Sequence, residues 1–237
     1  MFFPSCSELG CLIKPTAANA AWGKKLNTYR KDESMEIKIC GLTEKKEGDY
    51  LNKYGADYAG FVLFYPKSKR NIDITQAKEI MDTLNSSIKR VAVTVSPDEE
   101  QLSQIADAGF DYIQVHGKLP QNMIFSCSLP ILRAFNVTDM ENFEIYRHNP
   151  QIAGYVFDAL EPGSGVSFDW NLLKQIPRDG KRLFLAGGLD AGNVSQAIRA
   201  VKPEGVDVSS GVEFDNRNGK DPDKIQAFIA AVRNTGY

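Results

Sequence analysis

The sequence predicts a parallel (β/α)8 barrel, and three observations predict it. Short apolar runs rich in β-branched and aromatic residues recur eight times, near 36–40, 59–64, 90–95, 111–115, 130–135, 153–158, 182–187 and 206–209. Stretches with helical spacing lie between most of them. The repeat interval of about 20–25 residues is that of βα units, whose strands pair in parallel. Eight such units in about 200 residues sit at the compact end of the barrel size range. An open doubly wound sheet is the competing architecture, and it is weakened because no strand is followed by a GxGxxG turn.

The elements follow in order. Glu36-Ile37-Lys38-Ile39-Cys40-Gly41 reads as a buried strand that stops at a Cys and turns at a Gly. Between the second and third runs, Ile74, Ala77, Ile80, Met81 and Leu84 share one helical face. Further helices are expected over 99–108, 193–201 and 222–233. Gly154-Tyr155-Val156-Phe157-Asp158 repeats the form of the first strand and stops at an acid. Residues 1–34 lack strand alternation and read as a poorly ordered N-terminal extension: a leader, an early start codon or an expression remnant. The apolar opening Met1-Phe2-Phe3 is too short for a signal h-region, and Pro4 interrupts it. Lys24, Lys25, Arg30 and Lys31 would suit a transit peptide, but Glu8, Asp32 and Glu33 count against one. The barrel domain is then 35–237.

Composition narrows the function classes. The chain has 237 residues, 43% of them hydrophobic and 24% charged, with a formal charge of −2. That balance gives no general attraction to nucleic acid or to an anionic membrane, so any phosphate recognition must be local. No run approaches the 18 or more apolar residues of a spanning helix. The four cysteines, Cys6, Cys11, Cys40 and Cys127, form no CxxC, and the two histidines are His116 and His148. A disulfide framework or metal site is not expected, and a cytoplasmic setting is. Oligomeric state stays open between monomer and homodimer.

In a parallel barrel the carboxyl ends of the strands line the active site, so Cys40 and Asp158 become a candidate base and acid. The alternatives are a small buried hydrophobe for Cys40 and a cap or turn residue for Asp158. Period-two alternation sends Ile37 and Ile39 outward to the helices and Lys38 and Cys40 into the lumen. The same logic turns Asp207 and Ser209 inward, and a buried Lys needs a partner. Strands 1 and 8 are neighbours in a closed barrel, so Lys38 and Asp207 are expected to pair in a structural role. Gln114 and His116 share an inward face of strand 4, as satisfied structural groups or as pocket contacts.

Two glycine-bearing loops, Leu185-Ala186-Gly187-Gly188 and Ser209-Ser210-Gly211, follow consecutive strands. Glycines let backbone N–H groups approach an anion, and barrel phosphate sites lie in these two loops. Gly187, Gly188, Ser209, Ser210 and Gly211 are therefore the phosphate candidates. Arg70 lies in Tyr65-Pro66-Lys67-Ser68-Lys69-Arg70, either a solvated basic loop or a planar fork for a carboxylate. Gly163-Ser164-Gly165 would suit a lid after Asp158.

Five motifs in this order resemble phosphoribosylanthranilate isomerases: Lys38-Ile39-Cys40-Gly41-Leu42-Thr43, Gln114-Val115-His116-Gly117, Gly163 to Trp170, Leu185 to Leu189, and Asp207 to Glu213. Gly219-Lys220-Asp221 and Lys224-Ile225 also look like the family's last helix. The resemblance covers 35–237. It implies a TIM barrel and an enzyme of tryptophan biosynthesis, an aldose–ketose isomerase that performs an Amadori rearrangement of N-(5-phosphoribosyl)anthranilate without a cofactor. It further implies that Cys40 is the general base, Asp158 the general acid and Arg70 the holder of the anthranilate carboxylate. Three features depart from the family pattern. They are the extension, Thr94 where an aromatic is common, which bears on the pocket floor, and Arg217-Asn218 before Gly219 where Pro-Gly is usual. Two rivals stand beside this reading. One is the histidine-pathway aminoaldose isomerase, against which Cys40 argues because that chemistry typically uses two Asp residues. The other is a non-catalytic phosphate-ligand binder on the same barrel.

Overall fold

In the computed structural model, residues 35–136, 143–158, 169–176 and 178–236 are described. The N-terminal extension and the Gly163-Ser164-Gly165 segment lie outside them. Eight strands run β1 Glu36–Cys40, β2 Tyr58–Leu63, β3 Lys89–Val95, β4 Tyr112–His116, β5 Ile131–Asn136, β6 Ile152–Asp158, β7 Arg182–Leu185 and β8 Gly205–Val208. All pair in parallel with their sequence neighbours, and β1 pairs with both β2 and β8, which closes the barrel. A two-residue strand, Asn71–Ile72, extends β2 beside its carboxyl end.

Helices α1 Lys45–Tyr54, α2 Ile74–Met81, α3 Glu99–Asp107, α4 Gln121–Ser126, α5 Phe143–Arg147, α6 Val194–Val201 and α7 Pro222–Arg233 fill the crossovers. Between β6 and β7 the described helical turn is 3-10, Trp170–Gln175. Side chains start these helices where the sequence offers them. Asp73 accepts from the Gln76 backbone N–H, and Asp98 forms a capping box with Gln101. Asp221 caps α7 ahead of Pro222, whose missing N–H costs nothing in the first turn.

Alternation along the strands builds two apolar layers. Ile37, Ile39, Phe61, Ile113, Phe157 and Leu185 face out and pack with the helices. Tyr58, Val91, Val93, Leu132, Val156 and Phe184 face in and fill the lumen. The amino-terminal end of the lumen is closed by residues that begin four strands. The Tyr58 hydroxyl donates to Glu36 Oε1 at 3.0 Å, Arg182 Nε lies 3.2 Å from Glu36 Oε2, and the Tyr58 ring meets Tyr112 and Phe184 edge-on. Thr94, the departure that bears on the pocket floor, does not line the cavity. It is fully buried among the outward-facing residues of β3, and Val93 and Val95, one residue away on either side, form the cavity wall instead.

Midway up the lumen, Lys38 on β1 stands opposite Asp207 on β8. Lys38 Nζ donates to Asp207 Oδ2 at 2.7 Å, with the Lys fully buried, as alternation predicted. Burial disfavours the ammonium, but Asp207 and Cys40 more than offset it and raise its pKa. Removing one partner of such a pair strands the other charge. Lys38→Met is therefore expected to lower the unfolding free energy by about 3–5 kcal/mol, and Lys38→Met/Asp207→Leu by less. Urea denaturation of both variants checks this, and equal losses would remove the stranded charge as the cause.

Candidate active site

The carboxyl ends of the strands surround a cavity of about 630 Å3. Cys40, ending β1, and Asp158, ending β6, both line it. So do Gln114 and His116 of β4, Arg70 from the loop after β2, and Gly187, Gly188, Ser209 and Ser210 from the loops after β7 and β8. Nine of the ten expected site residues thus reach one cavity. Gly211 does not reach the wall. A Cβ there would come within 2.0 Å of the Leu189 carbonyl oxygen, so its part is to let the two loops pack together.

Cys40 is 8% exposed, and its carbonyl accepts from Ser209 Oγ at 2.9 Å. Burial pushes the thiol pKa up; the Lys38 and Lys220 ammoniums oppose this without cancelling it, and the Asp207 carboxylate reinforces it. The resting group is a thiol. His116 is held low, at about 3, by burial and by the positive charges of Lys38 and Arg133, so its imidazole is neutral. The Gln114 amide donates from Nε2 to His116 Nε2 at 2.8 Å, which puts the imidazole proton on Nδ1. Behind β4, Arg133 donates to the carbonyls of Val115 and Gly117, the two neighbours of His116.

At the β7 end, Gly187 and Gly188 both have positive φ, 84° and 63°. This conformation is open to glycine and costly for other residues. The backbone N–H groups of Gly187, Gly188 and Ser210 donate to no acceptor among the described residues. Unpaired donors at a cavity wall are the material of an anion site.

Arg70 is 13% exposed on its side chain and lies across Gly41, where a Cβ would meet its Cδ at 2.5 Å. Its Nε donates to Glu213 Oε1, so it is no solvated loop residue. Glu213 also accepts from Lys69 Nζ at 2.7 Å and Lys220 Nζ at 3.1 Å. Burial alone would raise the Glu213 carboxyl; Arg70, Lys220 and Lys69 outweigh it and hold the pKa at about 2. Lys220 is fully buried and also donates to the carbonyl and hydroxyl of Ser209. Its backbone N–H donates to Glu47 Oε1, whose Oε2 accepts from the N–H groups of Thr43 and Glu44. Sequence reasoning assigned no part to Glu47, Glu213 or Lys220. Only the capping-box spacing of Glu44 and Glu47 left a local signal.

A family model described as N-(5'phosphoribosyl)anthranilate (PRA) isomerase matches residues 37–231. The chain belongs to this family. It is 36% identical over 203 residues to an N-(5'-phosphoribosyl)anthranilate isomerase of Listeria welshimeri, covering 84% of this chain and 98% of the relative. The phosphoribosyl anthranilate isomerase structure from Thermotoga maritima superposes with a TM-score of 0.75 at 34% identity, over 84% of this chain and 98% of that one. A further isomerase structure of the family, in complex with reduced 1-(o-carboxyphenylamino)-1-deoxyribulose 5-phosphate, gives 0.73 at 33% identity over the same shares. Thirty-six per cent identity along almost the whole relative accounts for five motifs falling in register.

Two outcomes test the electrostatics. The folded Glu213 carboxyl titrates near 2 against an ordinary 4.5, so its contribution is complete above pH 4.5 and is lost as pH falls toward 2. Melting temperatures of wild type should drop more steeply across that window than those of Glu213→Gln, and parallel curves would dismiss the assignment. Mass-resolved alkylation at Cys40 should still be accelerating above pH 9, the ordinary thiol value, because the folded thiol lies higher. A plateau below pH 8 would show an already ionised thiol.

Proposed function

We propose that the chain catalyses the Amadori rearrangement of N-(5-phosphoribosyl)anthranilate to 1-(2-carboxyphenylamino)-1-deoxyribulose 5-phosphate, with Cys40 as general base and Asp158 as general acid. The observation that carries this reading is the convergence of thiol, carboxyl, guanidinium and unpaired glycine-loop amides on one cavity. The substrate class needs each of these: a proton donor, a proton acceptor, a carboxylate holder and a phosphate holder.

The proton inventory runs through two carriers. Protonated Asp158 donates to the ribose ring oxygen, the C1–O bond breaks, and nitrogen supplies the electron pair of the iminium. Cys40 then removes the proton from C2, and that C–H electron pair forms the carbon–carbon double bond of an enolamine while the iminium pair returns to nitrogen. Ketonisation returns a proton to C1 and gives the aminoketose. The thiol, protonated at rest, must first pass its proton to solvent, and positive charge developing at the adjacent iminium favours that loss, so the substrate assists its own base. The Lys38 ammonium next to the thiol favours the same ionisation. The iminium is the electron sink, and the scheme calls on no metal or organic cofactor.

Arg70, with its planar fork, suits the anthranilate carboxylate. Gly187, Gly188, Ser209 and Ser210 suit the phosphate, through backbone N–H groups and hydroxyls. Neutral His116 and its Gln114 partner suit hydrogen bonding to substrate rather than charge neutralisation. The free thiols of Cys40 and Cys127 support a reducing, cytoplasmic setting.

Loss of anthranilate-type fluorescence on turnover, with substrate generated in situ, tests the assignment. Cys40→Ser and Asp158→Asn should each lower kcat by about 10²–10⁴-fold, the range of a lost general acid or base, with little change in product-analogue affinity. Full activity in either variant would move that proton carrier elsewhere. Turnover of only the histidine-pathway aminoaldose would replace the substrate.

A further inference from the structure

Three cations converge on one carboxylate at the edge of the cavity. Glu213 receives Arg70 Nε and Lys220 Nζ on Oε1 and Lys69 Nζ on Oε2. Its backbone carbonyl accepts Lys224 Nζ, which also reaches Asp215, and Glu47 approaches only through the Lys220 backbone. The carboxylate is 8% exposed and offsets one of the three positive charges around it. Lys69 is 57% exposed and solvent screens its charge, so the part of the cluster shielded from solvent is Arg70 and Lys220 against Glu213.

Geometry restricts where that positive charge is offered. A guanidinium binds a carboxylate through paired N–H groups on one of its edges. Glu213 occupies Nε, and neither Nη group of Arg70 has a hydrogen-bond partner among the described residues. The aliphatic part of Arg70 is pinned across Gly41, the residue after Cys40, and no side chain can intrude there without striking Cδ. Glu213 is itself fixed by Lys220, whose backbone pairs with it in a single antiparallel bridge and whose ammonium also holds Ser209. A fork so held loses little further freedom when it binds.

We propose that Glu213 is a positioning residue that determines substrate specificity: by holding Arg70 at Nε it presents the Nη1/Nη2 edge to the carboxylate of the substrate's aromatic ring. The inference rests on the reading of Arg70 as the carboxylate holder. Lys220 acts one step further back, keeping Glu213 ionised and in place and linking it to the Ser209 loop. Selection for a ring bearing a carboxylate then resides in a group that never touches the substrate.

Steady-state kinetics of the full chain test this, with Arg70→Ala, Glu213→Gln and their double variant assayed on two substrates. One is N-(5-phosphoribosyl)anthranilate and the other its carboxylate-free counterpart, made by condensing ribose 5-phosphate with aniline. Glu213→Gln should raise KM about tenfold on the first, the order of one weakened charge-assisted hydrogen bond, with kcat within about twofold. It should leave kcat/KM on the second unchanged and add nothing in the Arg70→Ala background. Equal losses on both substrates, or additive losses in the double variant, would overturn the inference. If Arg70→Ala fails to distinguish the substrates, the Arg70 reading falls; if it distinguishes them and Glu213→Gln does not, only the Glu213 role falls. Should Glu213→Gln not fold by circular dichroism, Glu213→Asp carries the same test, since it keeps the charge and withdraws it by one methylene.

Discussion

A charge pair inside the lumen sets the terms for the rest of the barrel. Lys38 and Asp207 meet at 2.7 Å across the junction of β1 and β8. An ammonium in that position is tolerable only because its counter-ion comes from the neighbouring strand, which ties ring closure to charge neutralisation. The pair also fixes orientation. With Lys38 facing in, Cys40 must face in two residues later and stand at the cavity floor. Slipping β1 by one residue would bury the thiol under the helices and turn Ile39 into the lumen.

Above that pair the cavity divides its electrostatic labour between two kinds of donor. On the β7–β8 side the donors are backbone N–H groups, positioned by glycines in a conformation that other residues avoid. On the β1–β2 side they are whole charges, Arg70, Lys69 and Lys220, gathered around Glu213. A doubly ionised phosphate and a planar carboxylate make different demands. Many directed dipoles suit the first and a fork of defined plane suits the second. Between them lies the Cys40 thiol, whose pKa burial raises against the opposing Lys38 and Lys220 charges.

Much of this was legible in the residues. Alternation placed Lys38, Cys40, Gln114, His116, Asp207 and Ser209 on the inner face because period two is a property of the backbone, independent of context. The helix starting at Ile74 was visible because its apolar face repeats at helical spacing. The departure at Thr94 left the pocket floor open, and the structure supplies it from Val93 and Val95, with Thr94 buried on the opposite face of the strand. Glu213 and Lys220 fell within family-like segments but were given no role of their own. Besides each other, they meet Arg70 and Lys69 in the β2 loop and Glu47 in α1, too far along the chain for any local pattern to announce.

The sequence by itself determined the repeating unit, the faces of its strands and the chemical types that end them, since these follow from short-range periodicity and turn chemistry. Alternation also foretold the Lys38–Asp207 pair, but tertiary structure decided which charges meet around Glu213. Whether Arg70 waves in solvent or lies pinned across Gly41 depends on ring closure bringing the loops after β1, β2 and β8 together. Electrostatic energies depend on distance and burial, and neither exists until the barrel has closed.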